Sequence, residues 1–208
     1  MFNRILILAP HTDDGELGCG GTIAKFVDEG KEVHCVAFSI AEDSVPAGFP
    51  KDALLTEFSN AMKTLGLKEQ NIRTFRYRVR HFTSFRQDIL EDIVKLRNEI
   101  NPDLVFVPSP NDIHQDHQVI TAEGLRAFKK ISILGYELPW NNIIFETRSF
   151  VKLNKTHIAK KIAALQCYKT QQHRSYLNEQ FIWGLAKTRG TQFESDYAES
   201  FEILRILI

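Results

Sequence analysis

The stretch ILILAPHTDDGELGCGG, residues 5–21, joins an apolar run to a cluster of charge. Residues 5–9 are all apolar, which predicts a strand buried on both faces of a sheet. The strand is followed directly by three acids and an imidazole, in the order His11, Thr12, Asp13, Asp14, Gly15, Glu16. Helical spacing of apolar residues then runs over Leu17–Glu29 and stops at Gly30. This order predicts the start of an α/β fold.

The rest of the chain continues the alternation of strands and helices. Strands are predicted at Glu32–Ser39, Ile72–Arg78, Leu104–Val107, Ile143–Leu153 and in SFEILRILI (200–208). Helices are predicted at Ala53–Leu65, Gln87–Ile100, from the end of a polar loop (108–118) to about Lys130, at Thr156–Tyr168 and at Leu177–Lys187. Short apolar strands between helices favour a mostly parallel sheet with helices on both faces. No repeat or linker interrupts the sequence, so residues 1–208 are interpreted as a single domain.

The composition narrows the classes of function. Of 208 residues, 43% are hydrophobic, and 26 basic residues balance 26 acidic ones. This balance gives no reason to expect nucleic acid or an anionic membrane surface as a partner. The three cysteines are far apart and form no CxxC pair, which favours a reducing compartment. Since the apolar N-terminus lacks a cleavage pattern and no run reaches the length of a membrane span, we expect a cytoplasmic protein.

A second polar cluster, PSPNDIHQDH (108–117), follows the predicted strand LVFV (104–107). Ligands of open α/β sheets bind beyond the carboxyl ends of the strands. If the two strands are neighbours, both polar clusters meet at one edge of the sheet. The sequence therefore predicts an active site at that edge.

The residue types in the two clusters suit a catalytic zinc site. Imidazole and carboxylate ligands are offered by His11, Asp14, His114 and His117. Such a site takes three protein ligands and a water, and Asp13 could act as the base beside that water. A further imidazole could stabilise the oxyanion or protonate the leaving amine. Taken singly, an Asp-Asp pair is also typical of a solvated turn, and HxxH of loop polarity or helix capping.

The glycines of GELGCGG (15–21) raise a competing hypothesis, a dinucleotide cofactor. Their spacing is GxxGxGG and not the GxGxxG of that fingerprint. The neighbouring acids would also repel a pyrophosphate. We therefore expect no nucleotide cofactor and attribute these glycines to close packing of the helix on the sheet.

Joined together, PHTDDGELGCGGT (10–22) and PSPNDIHQDH (108–117) resemble the signatures of the LmbE-like, PIG-L superfamily of zinc-dependent N-deacetylases. ALQCYKTQ (164–171) and parts of 189–201 are similar to further segments of this family. The resemblance implies a Rossmann-like fold and hydrolysis of an N-acetyl group, typically on N-acetylglucosamine or its conjugates. Thr12 replaces the usual proline and Gly15 precedes Glu16, but neither change removes a ligand.

By position, the resemblance implies one zinc ion per chain, held by His11, Asp14 and His117. Asp13 would be the general base, and His114 would assist the oxyanion or the leaving group. The partner would be a small N-acetyl sugar or glycoconjugate. Alternatives on this scaffold are hydrolysis of another acyl amide and a non-catalytic sugar- or nucleotide-binding module, although no ligand position is missing. The identity of the sugar and the oligomeric state stay open, with a homo-oligomer among the options.

Three further acids are given supporting roles. Glu16 is predicted to cap the first helix in preference to supporting the ligands. Asp112 or Asp116 could hydrogen-bond to a histidine ring and fix its tautomer, or could cap the helix that follows.

Three arginines, Arg76, Arg78 and Arg80, alternate along RYRVRHF (76–82). Alternation places them on one side of an extended chain. We favour a solvent-facing edge, while a patch for an anionic substrate group is the alternative.

Trp140 and Trp183 are interpreted as packing residues, although either could stack on a sugar ring.

Overall fold

A seven-stranded sheet organises the computed structural model, which describes residues 2–207. The strands are β1 (Arg4–His11), β2 (Glu32–Ser39), β3 (Ile72–Thr74), β4 (Leu104–Pro108), β5 (Ser132–Tyr136), β6 (Ser149–Leu153) and β7 (Tyr197–Arg205). Their order in the sheet is β3-β2-β1-β4-β5-β7-β6. Strands β1 to β5 run parallel, and β7 is antiparallel to both of its neighbours, β5 and β6. The predicted α/β fold with a mostly parallel sheet is confirmed.

Helices cover both faces of this sheet, also as predicted. They are α1 (Asp14–Asp28), α2 (Ala53–Thr64), α3 (Arg86–Ile100), α4 (Gln115–Ala127), α5 (Lys155–Leu165) and α6 (Glu179–Thr191). Ile5 and Ile7 of β1 belong to the core shared with α1, α2, α5 and α6, whereas Leu6 and Leu8 belong to the core shared with α3 and α4. Burial on both faces is the reason that β1 is apolar throughout. Within residues 2–207, no helix has the length and apolar character that a membrane crossing requires.

The strands that precede the two polar clusters are direct neighbours. β1 pairs with β4 in parallel, with Ile5 opposite Leu104 and Ile7 opposite Phe106. The carboxyl ends of both strands therefore lie at the same edge of the sheet. The condition that the sequence left open is met, and the two polar clusters come together.

Three segments fold differently from the prediction. The strand predicted at Ile72–Arg78 is only the three-residue β3, which ends at Thr74. SILGY (132–136) forms β5, where the sequence analysis places no strand, and the strand predicted at Ile143–Leu153 begins only at Ser149. Ile143 is 81% exposed, so the apolar residues near it belong to a loop. The predicted C-terminal strand is β7, and Ile208 lies outside the described residues.

Helix α1 approaches β5 so closely that Gly18 has no room for a side chain. A Cβ at residue 18 would lie 2.4 Å from a ring carbon of Tyr136. We expect Gly18→Ala to lower the free energy of unfolding by about 1–3 kcal/mol, the usual cost of overpacking a core. Urea denaturation measures this, with Gly184→Ala in α6 as the control because nothing lies within 4 Å of a Cβ there. Equal stability of Gly18→Ala and the parent would contradict the close approach.

Candidate active site

Three side-chain atoms converge where β1 ends and where α1 and α4 begin. Nδ1 of His11 lies 3.1 Å from Oδ2 of Asp14. Nε2 of His117 lies 3.3 Å from each of these two atoms. Two atoms that bind one zinc ion tetrahedrally at about 2.0–2.1 Å are about 3.3–3.4 Å apart. The group, called here the ligand triangle, therefore has the size of three zinc ligands.

The short connection from β1 to α1 folds Asp14 back towards His11. Only Thr12 and Asp13 separate the end of the strand from the start of the helix. The backbone N–H of His11 donates to Oδ2 of Asp14 at 2.9 Å. An acid in the first turn is also favoured by the helix dipole. Local backbone structure thus holds two members of the ligand triangle together.

Buried carboxylates hold the outer nitrogens of the two imidazoles. Nε2 of His11 lies 3.0 Å from Oδ2 of Asp116, and Nδ1 of His117 lies 2.7 Å from Oδ2 of Asp112. Because a carboxylate accepts, each outer nitrogen carries the hydrogen and the inner nitrogen of a neutral ring presents its lone pair. The prediction that Asp112 or Asp116 contacts a histidine ring holds for both. In the neutral rings, both inner nitrogens can thus bind a metal ion placed between them.

The electrostatic environment of the ligand triangle is strongly negative. Burial alone would lower the pKa of His117, but Asp14 and Asp112 outweigh it and raise that pKa to about 10. Burial would also lower the pKa of His11, but Asp116 and Asp14 outweigh it and raise that pKa. Burial would raise the pKa of Asp14, yet the two histidines lower it. Surroundings that stabilise imidazolium also stabilise a divalent metal ion.

His114 stands beside the ligand triangle in a different state. It is the N-cap of α4, and its Nδ1 accepts the backbone N–H of Asp116 at 3.2 Å. The alternative that Asp112 or Asp116 caps this helix is therefore excluded. Because Nδ1 accepts, the neutral ring carries its proton on Nε2. Burial and the nearby His117 lower the pKa of His114 to about 4, so the ring is neutral at pH 7 and offers an N–H.

A second group, in which His114 takes the place of Asp14, could also hold a metal ion. One ring nitrogen from each of His11, His114 and His117 can be chosen so that all three lie within 4.8 Å of one another. This group is looser than the ligand triangle. A bond from His114 to a metal through Nε2 would also require the proton to leave that nitrogen.

Asp13 adjoins the ligand triangle, and both line the pocket that is described below. It precedes α1 without binding a helix N–H through its side chain. Removal from bulk water and the neighbouring charge of Asp14 raise the pKa of Asp13 to about 6. A carboxylate with such a pKa takes up a proton more readily than an ordinary aspartate, which is the property of a general base.

Glu16 does not cap α1, contrary to the prediction. It is fully buried, and its Oε1 lies 2.5 Å from the hydroxyl of Tyr168. Burial raises the pKa of Glu16 well above its usual range. The Tyr168 hydroxyl also contacts the backbone carbonyl of Thr12. The Tyr168 hydroxyl has one hydrogen to donate. Both contacts are satisfied if it donates to the Thr12 carbonyl and accepts from protonated Glu16. These hydrogen bonds anchor the turn that carries Asp13.

The ligand triangle opens into a pocket whose other walls come from four connecting segments, those between β2 and α2, β3 and α3, β5 and β6, and α5 and α6. The wall residues include Arg80, Trp140, Asn141, Gln171, Arg174 and Tyr176. Trp140 stacks on Tyr176, with ring centroids 4.1 Å apart and planes 13° from parallel. Trp140 is therefore a pocket residue and not core packing, whereas Trp183 packs edge-on against Tyr197. Sequence reasoning did not select Asn141, Gln171, Arg174 or Tyr176 as site residues.

Fold and site together define an α/β protein with a cluster of histidines and aspartates at the carboxyl edge of its parallel strands. The profile of the PIG-L family, described as GlcNAc-PI de-N-acetylase, matches residues 6–128, which contain both polar clusters. The chain therefore belongs to the PIG-L family and is a hydrolytic N-deacetylase by membership.

Individual proteins are similar to this chain over most of its length. YaiS of Escherichia coli K12, described as an uncharacterized deacetylase, is 29% identical over 172 residues, covering 80% of this chain and 90% of YaiS. N,N'-diacetylchitobiose deacetylase from Pyrococcus horikoshii has a TM-score of 0.78 at 21% identity, covering 98% of this chain and 84% of that one. GalB, the 4-carboxy-2-hydroxymuconate hydratase of Pseudomonas putida KT2440, has a TM-score of 0.80 at 20% identity, covering 99% and 98%. At such identities the solved structures establish the fold alone.

Proposed function

We propose that this protein is a zinc-dependent N-deacetylase that removes the acetyl group of an N-acetylated amino sugar of the N-acetylglucosamine type. The observation that carries the proposal is the ligand triangle, with edges of 3.1–3.3 Å between three inward-facing acceptor atoms. Membership of the PIG-L family supports amide hydrolysis. The name of the Pyrococcus horikoshii enzyme, a diacetylchitobiose deacetylase, supports a sugar substrate.

His11, Asp14 and His117 would hold the ion. Their two imidazoles and one carboxylate are a common ligand set of catalytic zinc sites, which leave a further position open. Asp112 and Asp116 would keep both imidazoles in the ligating tautomer. Bound zinc supplies Lewis acidity, which makes water a nucleophile near neutral pH.

The chain's own residues would move the protons. Asp13 takes a proton from the attacking water, whose oxygen then bonds to the acetyl carbon. His114 donates its Nε2–H to the carbonyl oxygen as negative charge develops there. The carbon–nitrogen bond breaks as Asp13 passes the proton it took from water to the leaving nitrogen, and the acid product loses its remaining proton to solvent, so that the products are acetate and a free amine.

The direct test is release of acetate and amine from a panel of neutral and charged N-acetyl sugars. We expect equal amounts of both products, loss of activity after chelation, and recovery on adding zinc. Full activity in chelator would contradict the metal dependence. Binding of these sugars without turnover by the zinc-loaded protein would favour the non-catalytic binding module.

Hydration is a second candidate reaction, because the hydratase GalB shares the fold over 99% of this chain. A hydratase adds water across a carbon–carbon double bond and releases no acetate. Assaying the same preparation with an unsaturated hydroxy acid separates the two reactions. We expect acetate release only, since the family match favours amide hydrolysis.

The role proposed for His114 gives a prediction that separates it from the ligands. We expect His114→Ala to keep its metal and KM while kcat falls by about 10²–10³-fold, as on loss of one oxyanion donor. Metal analysis and steady-state kinetics measure this, with exposed His173→Ala as the control. A His114→Ala protein that loses its metal, beside a His117→Ala protein that retains it, would reverse the assignment and favour the looser histidine group.

A further inference from the structure

Two arginines line the pocket without an acidic partner. Arg80 enters from the loop between β3 and α3, and Arg174 from the segment between α5 and α6. Within residues 2–207, neither guanidinium forms an ion pair with a carboxylate. The one side-chain contact of Arg174 is long, 3.4 Å from its Nε to Oε1 of Gln171. The pocket thus presents two positive charges that the protein itself does not neutralise.

The neighbouring arginines show the opposite arrangement. Nε of Arg78 lies 2.8 Å from Oδ2 of Asp43, and Arg76 pairs with Glu42. Both side chains are more than half exposed and lie outside the pocket lining. The solvent-facing interpretation therefore holds for Arg76 and Arg78. Arg80 is exposed as well, but it is one of the residues that line the pocket, so the alternative of a patch for an anionic substrate group stays open for this residue.

The backbone of Arg80 is fixed relative to the ligand triangle. Its N–H donates to Oδ2 of Asp116 at 2.6 Å, and Asp116 also contacts His11. Its carbonyl accepts from Nε2 of Gln115 at 2.6 Å. The φ angle of Arg80 is +68°, a left-handed conformation that glycine adopts at lower energy.

The aspartates of the pocket differ from its two arginines in charge and in exposure to solvent. Asp14 is buried in the ligand triangle and Asp13 adjoins it, whereas Arg80 and Arg174 are exposed. Because Asp13, Arg80 and Arg174 line one pocket, a substrate whose acetamide group reaches Asp13 can bring another of its groups to the arginines. Guanidinium groups bind phosphate and carboxylate through paired, charge-assisted hydrogen bonds.

We propose that Arg80 and Arg174 recognise an anionic group, a phosphate or a carboxylate, on the substrate, so that the pocket selects an acidic N-acetylated amino sugar over a neutral one. The inference rests on the proposed deacetylation for its substrate class. It assigns the two arginines as specificity residues that bind substrate without taking part in proton transfer.

Kinetics with matched substrates test this proposal on the zinc-loaded protein. The probes are methyl N-acetylglucosaminide as the neutral sugar, N-acetylglucosamine 1-phosphate and 6-phosphate, and N-acetylmuramic acid as the carboxylate. We expect kcat/KM to be about 10–100-fold higher for the acidic probe that fits, the size of one or two charged hydrogen bonds. Comparing the phosphates with the carboxylate identifies the anion.

Variants assign the preference to the two side chains. Arg80→Ala and Arg174→Ala should each lower kcat/KM about 10-fold or more for the acidic substrate and by a smaller factor for the neutral one. Arg78→Ala, whose arginine is paired with Asp43 outside the pocket, is the control and should change neither. Arg80→Gly suits the left-handed backbone and serves as a second variant where Arg80→Ala folds poorly. Equal kcat/KM for neutral and acidic probes, or equal losses on both, would overturn the proposal.

A binding experiment keeps this proposal distinct from the proposed function. Calorimetry compares glucosamine 6-phosphate and glucosamine 1-phosphate with uncharged glucosamine, none of which requires turnover. Tighter binding of a phosphorylated amine that is lost in Arg80→Ala and Arg174→Ala supports the anion site even if no acetyl compound is hydrolysed. If the acidic compounds are preferred neither in turnover nor in binding, the anion site is wrong, whatever the outcome for deacetylation.

Discussion

Asp13→Asn will retain its metal and lose about 10²–10⁴-fold in kcat, the usual effect of removing one general base. Asparagine keeps the size of the side chain and cannot take up the proton. The pKa of Asp13, raised to about 6 by burial and by Asp14, is the reason to assign the base to this residue. Metal analysis and single-turnover rates of acetate release measure the two effects separately.

Asp14→Asn is the matched control for Asp13→Asn, since the two residues are adjacent and the change is the same. It removes a charged member of the ligand triangle, so we expect weakened metal binding as well as lost activity. A protein in which Asp13→Asn loses its metal and Asp14→Asn keeps it would show that the two roles are exchanged.

His11→Ala and His117→Ala will each abolish stoichiometric metal binding. Each change removes one of the three proposed ligands and also leaves a buried carboxylate, Asp116 or Asp112, without its imidazole partner. Metal content after dialysis against a weak chelator measures the effect, with His173→Ala as the control because that residue is exposed. Full metal occupancy in both variants would exclude the ligand triangle as the metal site.

The central part of the fold could be predicted because each piece of it is encoded locally. β1 and β4 are short apolar runs followed at once by polar clusters. Parallel pairing of neighbouring strands then brings their carboxyl ends together, whatever lies between them in sequence. This is why His11 and His117, 106 positions apart, could be placed at one site.

Strand β5 escaped prediction because its sequence carries little strand signal. SILGY has five residues, one of them glycine, and follows the helix α4 after a short connection. Its burial depends on β7, which pairs with it from a distant part of the chain. At Ile143 a strand was predicted where the chain forms an exposed loop, because apolar character alone does not separate the two.

Contacts between distant segments explain what the site analysis missed. The partner of Glu16 is Tyr168, 152 positions away, so a helix cap appeared the simpler role. Arg174 and Tyr176 come from a segment between α5 and α6 that has no regular pattern. Trp140 reaches the pocket through its stacking on Tyr176. Only the packed chain shows that these residues face the ligand triangle.

The contact between residue 80 and Asp116 is made by the main chain and not by the arginine side chain. A substitution at residue 80 can therefore change the pocket wall, while Asp116 keeps both its backbone hydrogen bond and its contact with His11. Proline is the exception, because it has no N–H to donate. Under the specificity role proposed for Arg80, position 80 is accordingly a place where a lineage, or a protein engineer, can exchange one substrate for another without rebuilding the proposed catalytic site.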